Sequence, residues 1–213
     1  MTGDSAVVLL SGGLDSADAL WWAKKKWKTY ALTFKYGRLN SNEVRSARRL
    51  AKRTKVARHF VVDVAFLKQI SELRKRLARQ RLDLKRFPPT FVPCRNTIFL
   101  GIAAHYAEIY DARRIITGHI GHDPFPDSKP AYIRAMNNAL SKGSWLRKKH
   151  RIEIMTPFSG STKEDVVRLA GRLKVPLGLT WSCHWNRKKP CGTCEGCLDR
   201  SRAFEMLGLA DTR

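Results

Sequence analysis

Acidic side chains are scarce in this chain. Its 213 residues carry 18 Asp and Glu against 41 Lys and Arg, a formal charge of +23. Such a balance suits a polyanionic partner: nucleic acid, nucleotide phosphates or an acidic small molecule. The surplus is spread over Lys24–Lys28, Arg45–Arg58, Lys68–Arg86, Arg147–Arg151 and Arg187–Lys189, much of it where helices show solvated faces. Charge alone therefore does not name the ligand. Long apolar runs are missing too. Nothing approaches the roughly 18 consecutive apolar residues of a membrane span. Met1–Leu10 has no basic segment ahead of its apolar run, which stops at Ser11. The expectation is a cytoplasmic protein with no membrane partner. Internal repeats and low-complexity tracts are absent, and no Ser-His-Asp or Cys-His set stands out. With 43% hydrophobic residues the chain can bury a core, so disorder throughout is excluded.

Short apolar runs alternate with helical patterns. Ala6–Leu10, Tyr30–Phe34, His59–Val64, Arg114–Thr117 and Ile152–Met155 read as strands. Helices are expected from Ala17 to the lysine cluster at Lys24, and from Asn42 on the spacing of Val44, Ala47, Leu50 and Ala51. Further helices are expected over Asn96–Ala107, Ala131–Leu140 and Thr162–Leu173, the last capped by Ser161 or Thr162. Residues 66–90 form a basic insertion broken by Phe87-Pro88-Pro89. The pattern predicts an α/β fold, a parallel Rossmann-like sheet covered on both faces. Residues 1–178 form that layer and 179–213 a small metal-clamped lobe.

Between the first strand and first helix stands Leu9-Leu10-Ser11-Gly12-Gly13-Leu14-Asp15-Ser16. Gly12 and Gly13 let backbone amides approach anionic oxygens, and the helix N-terminus adds positive potential. Ser11 and Ser16 can donate hydroxyl hydrogen bonds. Asp15 would repel a bare phosphate, so it belongs beside a cation such as Mg²⁺ or caps the helix. A plain Gly-Gly turn is the alternative.

Four of five cysteines cluster near the C-terminus as Cys183-x₇-Cys191-x₂-Cys194-x₂-Cys197. Four soft ligands suit tetrahedral Zn²⁺ and leave no open position, which marks a structural site. An iron–sulfur cluster and a redox CxxC are the alternatives. His184 could compete as a ligand. Arg187, Lys188, Lys189 and Arg200 would offset the charge of a zinc–thiolate centre.

The SGGLDS loop resembles the signature of N-type ATP pyrophosphatases. With Phe34-Lys35-Tyr36-Gly37, Thr90–Asn96, Pro126-Asp127 and the tail Thr180-Trp181-Ser182-Cys183…Pro190-Cys191-Gly192-Thr193-Cys194, the chain resembles the 7-cyano-7-deazaguanine synthase family from about Ala6 to Gly208. The resemblance implies an adenine nucleotide alpha hydrolase-like fold and a ligase of queuosine and archaeosine precursor biosynthesis. That family activates the carboxylate of 7-carboxy-7-deazaguanine with ATP and lets ammonia displace AMP. It then activates the amide oxygen and eliminates it to leave a nitrile. Carried over, the resemblance gives Leu9, Leu10, Ser11, Gly12, Gly13, Leu14, Asp15 and Ser16 to ATP and Mg²⁺, and Leu32, Thr33 and Phe34 to the adenine. Asp15, Ser16, Arg95 and Lys163 become the catalytic candidates. Arg95 faces phosphate or substrate carboxylate, Lys163 the nucleotide, and Asp123 and Asp127 the deazaguanine. A surface role is the bland alternative for Arg95 and Lys163, and a turn role for the two aspartates. Family members often self-associate, so a homodimer is implied.

This chain departs from the family at Lys35 (usually acidic), Cys94 (usually Gly), His122 and Ser128. For Cys94 the expectation is a buried small hydrophobe rather than a reactive thiol. A second reading keeps the adenylation but changes the acceptor to tRNA or another amine. A third is a non-catalytic zinc-ribbon protein that binds nucleic acid, which leaves the Ser11–Ser16 loop unexplained.

Overall fold

In the computed structural model, residues 4–36, 40–67, 75–76, 91–121, 125–145 and 151–211 are described. Most of the 66–90 insertion, and both Asp123 and His122, lie outside them. Among the described residues five strands form one sheet: β1 (Ser5–Leu9), β2 (Lys28–Lys35), β3 (Arg58–Asp63), β4 (Arg114–Ile116) and β5 (Glu153–Met155). Their order is β3-β2-β1-β4-β5, and every pairing is parallel. Parallel strands need covered faces, and β1 shows why its sequence fits: Ala6, Val7 and Val8 are all fully buried.

Two apolar layers enclose the sheet. Ala6 and Val8 pack with Ala17, Leu20, Ala47 and Leu50 of helices α1 (Leu14–Lys24) and α2 (Ser41–Thr54). Val7, Leu32 and Ile115 pack on the other face with Leu100 and Ala103 of α3 (Arg95–Ile109) and Ile133 of α4 (Pro130–Gly143). The expected period-two alternation of strand faces is thus what sorts the core. Helix α5 (Lys163–Leu173) is capped by Thr162, whose hydroxyl accepts from the Asp165 N–H while the Asp165 carboxylate accepts in return.

The tail carries a helix that its cysteine spacing did not announce, α6 (Glu195–Met206). Its Ala203 and Phe204 form a third apolar cluster with Leu14, Val166 and Val167, so the four-cysteine segment packs on α1 and α5. Arg200, fully buried, donates to both carboxylate oxygens of Asp211 at 2.9 Å and to the Leu177 carbonyl at 3.0 Å. It is a packed structural cation, one helical turn after Cys197. No helix among the described residues is long and apolar enough to cross a membrane.

Candidate active site and metal centre

The order β3-β2-β1-β4-β5 reverses direction between β1 and β4, and loops leaving those two strands part to open a crevice at their C-terminal ends. A cavity of about 350 Å³ lies there. Leu9, Leu10, Ser11, Asp15 and Ser16 line one side, Leu32 and Phe34 come from β2, and Thr117–Ile120 follow β4.

The Ser11–Ser16 loop is closed by its own hydroxyls. Ser16 donates to the Gly13 carbonyl at 2.9 Å and accepts from the Ser11 N–H at 3.2 Å. The Gly13 N–H donates to the Ser11 hydroxyl oxygen at 3.2 Å. Gly12 sits at φ +93°, and a Cβ there would meet the Glu43 carbonyl at 2.2 Å and the Ala47 nitrogen at 2.9 Å. Glycine is therefore required twice over, by the backbone and by the approach of α2. A Cβ on Gly118 would strike the Asp15 backbone at 2.7 Å, so the β4 loop also presses on the start of α1.

Gly13, not Asp15, occupies the N-cap of α1. Asp15 faces Lys163, whose Nζ donates to both its carboxylate oxygens at 2.7 and 2.8 Å. Lys163 opens α5, where the helix dipole disfavours a cation, and the Asp15 carboxylate compensates. Behind them Asp18 is fully buried, and neither carboxylate oxygen has a hydrogen-bond partner among the described residues. Burial, helped by the charge of Asp15 and opposed by that of Lys163, pushes its carboxyl up to about 8.

Arg95 reaches the cavity from the start of α3, with Tyr36, Asn40, Glu43 and Phe99 around it. Its guanidinium lies 5.1 Å from the Phe125 ring centre. Burial lifts the Tyr36 hydroxyl well above its ordinary range, so it remains protonated beside Arg95. Burial also pushes Glu43 up to about 7, against the lowering effects of an Asn40 hydrogen bond and the Arg95 charge. Asn40 ties down the end of β2, donating to the Phe34 carbonyl and accepting from the Tyr36 N–H, both at 2.9 Å. Glu43, Asn40 and His119 were not anticipated as site residues. A lone acid inside the basic run of α2 was the available signal for Glu43.

Other candidates sit differently. Leu14 is buried in the core between α5 and α6, leaving only its backbone for a ligand. Thr33 is 1% exposed and donates to the Leu10 carbonyl at 2.6 Å. His59 Nε2, 2.8 Å from the same hydroxyl, is therefore the donor to it. Asp127 is absent from the cavity wall: it accepts from the Asn96 N–H at 2.9 Å and side-chain amide at 3.1 Å. It thus holds the turn that aims Arg95. Lys35 pairs with Asp63 at 3.1 Å, and Ser128 is buried, donating to the Phe125 carbonyl. Cys94 corrects the expectation of a buried hydrophobe. It is exposed at φ +52°, a left-handed backbone that glycine adopts without strain.

The four tail thiols gather with every pair of sulfurs within 4.8 Å. Cys183 and Cys197 are buried, Cys191 and Cys194 half-buried. Backbone N–H groups point at sulfur: Cys191 to Cys183, Trp185 to Cys183, His184 to Cys194 and Cys194 to Cys191, at 3.3–3.4 Å. These donors stabilise thiolates, and the donor set fits one tetrahedral metal ion without His184.

A family model described as "Queuosine biosynthesis protein QueC" matches residues 5–208. A 7-cyano-7-deazaguanine synthase from Persephonella marina is 38% identical, covering 97% of this chain and 95% of that protein. One from Thermoplasma volcanium is 39% identical, over 97% and 88%. Among solved structures, a predicted subunit of tRNA methyltransferase from Methanocaldococcus jannaschii shares the fold at 19% identity, with a TM-score of 0.50 over 79% of this chain and 74% of that one. Nearly full-length identity to named synthases makes this chain a ligase-type enzyme, and it belongs to the QueC family of queuosine biosynthesis proteins.

Proposed function

We propose that this chain uses ATP and ammonia to convert 7-carboxy-7-deazaguanine into 7-cyano-7-deazaguanine. The observation that carries the reading is one cavity holding an anion cradle, Lys163 at its edge through Asp15, and Arg95 on the facing wall. A carboxylate is a poor electrophile, and transfer of AMP to its oxygen supplies the leaving group. The backbone amides of Ser11–Ser16 and the Lys163 ammonium hold the phosphates, with Leu32 and Phe34 beside the adenine. Arg95 binds the substrate carboxylate as a planar fork, on a turn that Asp127 fixes. Asp15, a hard oxygen donor on the cavity wall, would hold Mg²⁺, which when bound neutralises charge on the departing pyrophosphate. The four cysteines would hold Zn²⁺ as a clamp, since thiolates are its preferred ligands and no position is left for chemistry.

A mass-spectrometric assay with 7-carboxy-7-deazaguanine, Mg-ATP and ammonium tests this reading. Nitrile, AMP and pyrophosphate are expected, and all three are lost in Asp15→Asn. ATP consumption without nitrile would overturn the assigned acceptor, and no turnover would overturn the activity.

A further inference from the structure

A reaction that turns a carboxylate and ammonia into a nitrile must shed protons, and the phosphate-binding residues do not account for them. When ammonia attacks the acyl adenylate, a C–N bond forms and the C–O bond to AMP breaks. One N–H proton must leave nitrogen. When the adenylated amide collapses, its C–O bond breaks to AMP while the remaining N–H bonds break to leave C≡N. We propose that Glu43 is the cavity's proton acceptor for these steps, returning each proton to solvent between them. The inference rests on the synthase reading above.

Geometry places it there. Glu43 is in the first turn of α2, and its carbonyl lies so close to Gly12 that a Cβ would come within 2.2 Å. Its side chain lines the same cavity as Ser11, Asp15 and Arg95. The only other carboxylate on that wall, among the described residues, is Asp15, which is tied to Lys163. The groups facing Glu43 are the Arg95 guanidinium and Tyr36 hydroxyl, with Asp15 and His119 on the rest of the wall, and Cys183 and His184 share a second, smaller pocket with Glu43. Burial sets its carboxyl near 7, where a base is deprotonated often enough to act and strong enough to take a proton. Arg95 beside it favours the carboxylate, and Asn40 orients it by a hydrogen bond.

The first half-reaction, AMP transfer to the substrate carboxylate, needs no proton acceptor, and this separates catalysis from folding or binding. Glu43→Gln is expected to keep substrate-dependent exchange of labelled pyrophosphate into ATP within about threefold of wild type. Nitrile formation should fall by about 10²-fold or more. Measured at saturating ammonium, the rise of kcat with pH through about 7 should vanish in Glu43→Gln and survive in Glu43→Asp. Wild-type nitrile rates in Glu43→Gln would overturn the assignment. So would an exchange rate that falls as far as nitrile formation, which makes Glu43 a structural or binding residue. If wild type itself shows neither exchange nor nitrile, the synthase reading fails and takes this inference with it.

Discussion

Lys163 and Asp15 lie 148 residues apart in sequence and meet with the ammonium 2.7 and 2.8 Å from the two carboxylate oxygens. The pair sits at the mouth of the crevice, 21% and 28% exposed, where each partner cancels an otherwise awkward charge. Asp15 alone would repel phosphate, and Lys163 alone would oppose the α5 dipole. Removing the ammonium leaves a bare carboxylate beside the Ser11–Ser16 loop. Lys163→Ala is expected to lower nitrile formation by about 10²-fold. Stability should change by no more than about 1 kcal/mol, because the pair is partly solvated. Parallel kinetic and denaturant measurements check this, and a stability loss as large as the activity loss would make the pair structural.

Asp18 predicts a pH dependence with a definite sign. Its carboxyl is held at about 8 in the folded chain, against 3.8 ordinarily. The native state therefore keeps a proton that the unfolded chain releases above pH 4. The resulting stabilisation is complete below about pH 4 and is lost as pH rises through about 8. Asp18→Asn keeps the shape and removes the titration. It should flatten the decline and exceed wild type near pH 9 by about 1–3 kcal/mol. Urea midpoints of both proteins at pH 6 and pH 9 decide it: parallel shifts would show that Asp18 does not titrate there.

Much of this arrangement was legible in the sequence because each part has a local cause. Ala6–Leu10 reads as a strand since both its faces are buried, and the start of α5 reads at Ser161 or Thr162, of which Thr162 takes the cap with Asp165 three residues on. SGGLDS and the cysteine spacing are local as well. What escaped depends on distant packing. Asp127 invites assignment to a ligand, and only the return of its loop to α3 shows that Asn96 already claims both its oxygens. Glu43 enters the cavity because Gly12 lets α2 approach, a contact no helical spacing reveals. Helix α6 was masked by the cysteine run that leads into it, with its apolar signal reduced to positions such as Ala203 and Phe204.

Metal removal separates a clamp from a catalyst. The thiols gather on the segment whose α6 packs on Leu14, the residue between Gly13 and Asp15. Loss of an ion held there should loosen the support of the Ser11–Ser16 loop rather than remove a reacting group. Chelation, or Cys194→Ser, is expected to lower the melting temperature. Activity should persist below the lowered transition and fall with it. Inactivation well below the transition, with circular dichroism unchanged, would mean that the metal takes part in the chemistry.

Cys94 offers a substitution that should improve the protein. It holds φ +52° and ψ +28° directly before α3, with its side chain exposed. A non-glycine residue pays about 1–2 kcal/mol for that backbone. Glycine adopts it freely but loses more entropy on folding, which offsets about 0.5–1 kcal/mol of the gain. Cys94→Gly should therefore be more stable by roughly 0.5–1 kcal/mol. Because the thiol is absent from the cavity wall, nitrile formation should be unchanged and alkylation of wild-type Cys94 tolerated. Thermal melts and steady-state rates of the variant test both halves. A stable but inactive Cys94→Gly would assign the thiol a chemical role and reopen the acceptor.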